Sequence, residues 1–180
     1  VRFWAHDLLH YWFHALEPSD WFGPGEAVDA ALRRRYARLL RGLSKQPAGA
    51  FLRDRHSARA AILLFDQVPR NLFRGQAQAF AFDPLARAIC KGLLARGWDR
   101  GLNRRERQFV LLPLMHSEAR ADQRRSLHEF AALGDRGTLA FARAHERMVA
   151  RFGRFPHRNQ VLGRRSTPAE RRAVDAGNAW

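Results

Sequence analysis

The stretch AAILLFDQVPRN, residues 60–71, places apolar side chains on every face of a helix and then runs into a proline. An apolar run of this kind, continuing the segment that begins at Ala50, predicts a central helix over 50–67 that is enclosed on all sides. Pro69 has no N–H to donate and its ring collides with the preceding turn, so the helix is expected to stop before it. A helix buried all round needs other helices to bury it, and the flanking sequence supplies them.

Upstream, Phe3 to Leu16 carries Trp4, Leu8, Leu9, Tyr11, Trp12 and Phe13, which suggests a helix buried over most of its circumference. EPSDWFGPGE, residues 17–26, breaks it with Pro18, Gly23, Pro24 and Gly25. Val28, Leu32, Tyr36, Leu39 and Leu40 then recur at helical spacing opposite Arg33, Arg34 and Arg41. Downstream, Asp83 is placed to cap a helix with Pro84 in its first turn, and Gly97 stands where a left-handed residue ends one. Asn103 and Glu106 open a helix into RQFVLLPLMHSE, residues 107–118. Helices near 121–133 and 138–152 flank GDRG, and Thr167, Pro168 and Glu170 form a capping-box start. No stretch alternates with period two. The expectation is a single all-α domain, 1–180, of stacked helical hairpins without a fixed-period repeat.

Composition narrows the function. A formal charge of +15 and a pI near 11.6 invite contact with phosphates. However, Lys45 and Lys91 are the only lysines, the arginines are dispersed, and no RNA-recognition or zinc-finger signature accompanies them. Nucleic-acid association through the arginine-rich surface therefore stands behind other readings. Cys90 is the one cysteine, which excludes an internal disulfide and a cysteine-rich zinc site and fits a reducing, cytoplasmic setting. No apolar run approaches the roughly 20 residues of a membrane span, so no membrane partner is expected.

Three polar clusters stand beside apolar runs. In FDQVPRN, Asp66 and Arg70 are four apart at a helix end, with Gln67 and Asn71 alongside. The pair either closes the helix terminus or orients Arg70 as a clamp for a carboxylate or phosphate. In LMHSEARADQ, His116 and Glu118 end an apolar helix, where the histidine either packs or serves as acid, base or ligand. In RFGRFPHRN, Arg154, His157, Arg158 and Asn159 sit in a loop anchored by Phe152, Phe155 and Pro156. Polar residues in such a loop point to a site, unless Arg158 and Asn159 satisfy carbonyls at helix ends. His6, His10 and His14 share a helical face, but no carboxylate completes a metal set there, and no metal or cofactor is expected. Phosphate loops, nucleophile elbows, dinucleotide fingerprints and His-Glu-x-x-His are absent from the sequence. His-Ser-Glu lacks the paired cysteines of a nucleobase deaminase.

These blocks together give the chain a resemblance to a bacterial family catalogued as domain of unknown function 924. The similarity runs through WFG at 21–23, LLFDQVPRNLFRG at 63–75, AFAFDPLA at 79–86, ERQFVLLPLMHSE at 106–118, DQRRSL at 122–127 and RFGRFPHRNQVLGRRSTPAE at 151–170. It implies a tetratricopeptide-repeat-like all-helical fold and adds Gln123 to the motif positions. It assigns no activity. One departure is His10, where relatives usually carry Asp before the same aromatic run.

The sequence thus supports a binding module whose Asp66, Gln67, Arg70, Asn71, Gln123, Arg154, Arg158 and Asn159 hold an anionic small molecule or peptide carboxylate. The alternative is an enzyme at the same place, with His116 or His157 as general acid or base and Glu118 or Asp66 orienting it.

Overall fold

The computed structural model describes residues 3–22 and 25–178. The turn residues expected at Gly23 and Pro24 lie outside them. Every regular element among the described residues is helical, as the sequence periodicity requires. The chain divides into two compact units, one of residues 1–74 with 78–113, the other of 75–77 with 114–180.

In the first unit α1 (Phe3–His10) runs on into a wide turn at Tyr11–Ala15, where the Leu16 amide donates to the Tyr11 carbonyl. The expected burial over most of its circumference is not what forms. Ala5, Leu8, Trp12 and Leu16 make one buried stripe, and His6, His10 and His14 stack along the exposed side at ring separations of 6.3 and 5.3 Å. The aromatic crowding serves the flank instead, where Trp12, Phe13 and Trp21 each meet the Phe109 ring edge-on. In α2 (Glu26–Leu43), Leu32, Tyr36 and Leu40 form the buried stripe. Arg33 reaches across to donate to the Leu72 carbonyl at 2.8 Å.

The enclosed central helix is present, but it is shorter at its start and longer at its end than its sequence suggests. A short tight turn at Ala48–Phe51 precedes it, and α3 (Arg55–Ile62) begins where Asp54 accepts from the Ser57 amide at 2.8 Å. From Ser57 to Pro69 every residue is buried. Pro69 does not stop the helix. Residues Leu63–Gln67 form a wide turn in which the Val68 amide bonds to the Leu63 carbonyl, and α4 (Val68–Leu72) follows with Pro69 in its first turn. Widening shifts the hydrogen-bond register, so the proline falls where a first-turn amide needs no partner. The freed carbonyls go to side chains: Arg70 Nη1 donates to the Asp66 carbonyl, and Asn71 Nδ2 donates to that of Gln67 at 3.1 Å.

Helix α5 (Asp83–Ala95) packs on α3. Asp83 is its first residue and not its cap, because its carboxylate faces Arg70. Gly97 takes the left-handed conformation that ends the turn, at φ +65°. Helix α6 (Arg104–Met115) opens with the expected reciprocal bonds between Asn103 and Glu106.

The second unit is built on a helical hairpin. Helix α7 (Arg120–Leu133) ends at Gly134, whose φ of +75° reverses the chain, and α8 (Arg136–Phe152) starts at once with Asp135 accepting from the Thr138 amide at 2.8 Å. Arg120 donates to the Ala150 carbonyl at 2.8 Å, tying the open end of the hairpin. A tight turn at Pro156–Arg158 leads to α9 (Pro168–Asp175), which carries the expected capping box. Met148, Val149, Phe155 and Ala173 form the core here, with Phe152 against it. Among the described residues no helix is long and apolar enough to cross a membrane. Because Asp135 alone connects the two hairpin helices after Gly134, Asp135→Ala should destabilise the protein by about 1 kcal/mol, the usual value of an N-cap, read as a lower urea midpoint at unchanged slope.

Candidate functional site

The first polar cluster belongs to the first unit. Asp66 is fully buried, accepts from Gln67 Nε2 at 2.5 Å and lies 3.3 Å from Arg70. Arg70 in turn donates to both Asp83 oxygens, at 2.9 and 3.1 Å, and its guanidinium sits 5.6 Å from the Phe80 ring centre. Burial opposes the Arg70 charge, but Asp66 and Asp83 outweigh it and hold its pKa above the ordinary value. Asn71 accepts from Arg74, which also forks onto Asp29 at 3.1 and 3.0 Å. Each guanidinium is thus already bound to a carboxylate, joining α4 to the start of α5 and to α2. Arg70→Met removes the cation from a fully buried carboxylate, an uncompensated charge that costs about 3–5 kcal/mol, and should show this loss in equilibrium unfolding.

The second and third clusters converge in the second unit. Gln123 Nε2 donates to the Met115 and Ser117 carbonyls at 2.7 and 2.6 Å, bracketing His116. Ser117 Oγ is 2.8 Å from Asp122. Glu118 accepts the Phe155 amide at 2.8 Å and both prongs of Arg164 at 2.8 and 3.0 Å. Burial pushes against the Glu118 charge, yet Arg164, the Phe155 amide and the charge of Arg158 prevail, and its pKa lies below the ordinary value.

The Phe155 ring is the meeting point. His145 lies edge-on to it at 5.4 Å, His157 is tilted against it at 5.7 Å, and the Arg158 guanidinium sits 4.6 Å over its face. His116 stands 6.1 Å from His145. Sequence reasoning missed His145 because it occupies a core-facing position of α8, three residues after Ala142 and four before Val149, where it counts as part of the apolar stripe. A histidine in such a stripe was the available signal.

Burial above all, with the charges of His116, His157 and Arg158 and against the opposing Phe141 carbonyl, lowers the His145 pKa to about 3. The ring is therefore neutral at ordinary pH. Its Nδ1 is 2.8 Å from that carbonyl, which only accepts, so Nδ1 carries the hydrogen and Nε2 keeps its lone pair. Arg154, in contrast, forks onto Glu170 at 2.7 and 3.0 Å and onto the Arg165 carbonyl at 2.9 Å. That bond, with the Thr167 amide, holds Glu170 down to about 2. Asn159 is fully buried and donates to Ser166 Oγ at 3.1 Å. Arg154 and Glu170 thus fasten the loop to α9, while His145, His157 and Arg158 gather around Phe155 and His116 stands beside His145. Among the described residues, no group of three or more His, Cys, Asp or Glu is arranged to hold a metal ion.

In a histidine NMR titration the His145 ring, assigned through His145→Gln, should keep its neutral chemical shift from pH 8 down to about pH 4 and move only as the pH nears 3.

Fold and site together define an all-helical protein with three histidines and an arginine clustered beside a helical hairpin. The family model for a bacterial protein of unknown function (DUF924) matches residues 8–178, and the chain belongs to that family. It is also similar to a solved protein of unknown function from Agrobacterium tumefaciens, at 37% identity and a TM-score of 0.90, over 96% of this chain and 97% of that one. No curated protein matches.

Proposed function

We propose that the second unit binds a small anionic group, a carboxylate or a phosphate, at the centre formed by His116, His145, His157 and Arg158. The meeting of His145, His157 and Arg158 on Phe155, with His116 beside His145, carries this reading. Glu118 has its charge matched by Arg164, and the charges that act on His145, those of His116, His157 and Arg158, all oppose its protonation. Of the arginines the sequence offers, Arg158 is the one that lies over Phe155 in this cluster, while Arg70 and Arg154 fork onto Asp83 and Glu170.

The hairpin of α7 and α8 is the element that supports a tetratricopeptide-repeat-like reading of the fold. A lone cysteine, Cys90, supports a cytoplasmic one.

The test is a titration of isotopically labelled protein with propionate and with inorganic phosphate at constant ionic strength, read at the histidine side chains. The expected result is a saturable shift of the His116 and His157 signals. Arg158→Ala should weaken binding by about 1.5–3 kcal/mol, the scale of a charge-assisted hydrogen bond, whereas the exposed Arg143→Ala should leave it unchanged. Histidine signals that do not respond, or equal effects of the two substitutions, would remove the centre from consideration.

A further inference from the structure

Gln123 Oε1, Ser126 Oγ and Asn159 Oδ1, in the second unit, are among the polar side-chain atoms buried without a hydrogen-bond partner. Their residues are 1%, 0% and 0% exposed. The two amides cannot be turned round to cure this. Gln123 Nε2 already donates to two main-chain carbonyls, and the reversed amide would set its oxygen against both. Asn159 Nδ2 donates to Ser166 Oγ, and its amide also donates towards the Glu170 carboxylate. Both orphan atoms are therefore carbonyl oxygens fixed as acceptors. Ser126 lies three residues after Gln123 on the same buried face of α7.

Leaving a buried acceptor unmade costs about 1–3 kcal/mol, so these oxygens call for a donor from outside the chain. Their places in the structure say which kind of donor. Gln123 spans the two residues on either side of His116, and Asn159 follows Arg158 directly. The acceptors thus belong to the residues that bracket His116 and follow Arg158, and an acceptor repels the oxygen of a bare carboxylate or phosphate. It is satisfied by an O–H or N–H.

Resting on the anion-binding reading above, we infer that the ligand carries a hydroxyl or amino group beside its acid, and that Gln123 and Ser126 recognise that group. The ligand class is a hydroxy- or amino-substituted carboxylate. Arg158 and the histidines take the acid, and the Gln123 oxygen accepts the hydrogen of the substituent. Ser126 Oγ, which can both donate and accept, completes the contact.

The experiment compares propionate with lactate, its 2-hydroxy counterpart, on the intact chain by the same histidine signals. Lactate should bind about tenfold more tightly, the ratio given by 1.4 kcal/mol, and Ser126→Ala should narrow that ratio. Ser126→Ala removes an atom that bonds to nothing else in the protein, so its fold is kept. Equal affinities for propionate and lactate would show that the orphan acceptors are served by resident water, which overturns this inference and leaves anion binding standing. An unchanged ratio in Ser126→Ala would overturn the recognition assigned to Ser126. Failure of either acid to shift any histidine would end both readings together.

Discussion

The second unit depends on one hydrogen bond, from the Phe155 main-chain amide to the Glu118 carboxylate. It fixes the loop after α8 against the turn after α6, at the open end of the α7–α8 hairpin. With the amide held, the Phe155 ring has a defined position, and His145, His157 and Arg158 take theirs from it. Glu118 can do this because Arg164 keeps it ionised, and a charged acceptor holds an amide more strongly than a neutral one. An ion pair that would count for little on an open surface thereby sets the geometry of a whole centre.

The first unit solves a different problem. A buried carboxylate and a proline fall within one helical run, and either alone would disturb it. Their combination is stable because the wide turn at 63–67 moves the proline to a first-turn position, and the same turn releases carbonyls that Arg70 and Asn71 reach. Arg70 then serves Asp66, Asp83 and a main-chain oxygen at once. A planar guanidinium with five donors can do so, and an ammonium cannot.

Much of this was legible in the residues and some was not. Helical spacing located the helices, and capping chemistry located the starts at Asn103 and Thr167, because both signals are local. The wide turn was illegible: residue period distinguishes helix from strand but does not encode a shift in hydrogen-bond register, so Pro69 was expected to end a helix that continues. Asp83 was expected to cap α5, yet a partner thirteen residues earlier, Arg70, takes its carboxylate. His145 escaped notice for a similar reason. Its place in an apolar stripe is indistinguishable from packing until the loop carrying Phe155 folds over it. Arg164 and Glu170 were legible only as part of a charge run and a cap, and their ionic partners became visible in three dimensions.

Arginine also has a second use in this protein, as a tie to main-chain oxygen. Arg33 holds the Leu72 carbonyl, Arg120 that of Ala150, and Arg154 that of Arg165. With only Lys45 and Lys91 as lysines, the chain's positive charge resides almost wholly in guanidiniums, which keep their protons beyond about pH 12. These ties therefore persist under alkaline conditions that would neutralise an amine. They are equally beyond the reach of lysine acetylation and of amine-directed labelling, which leaves the cationic character of the surface almost untouched by the commonest chemical means of altering it.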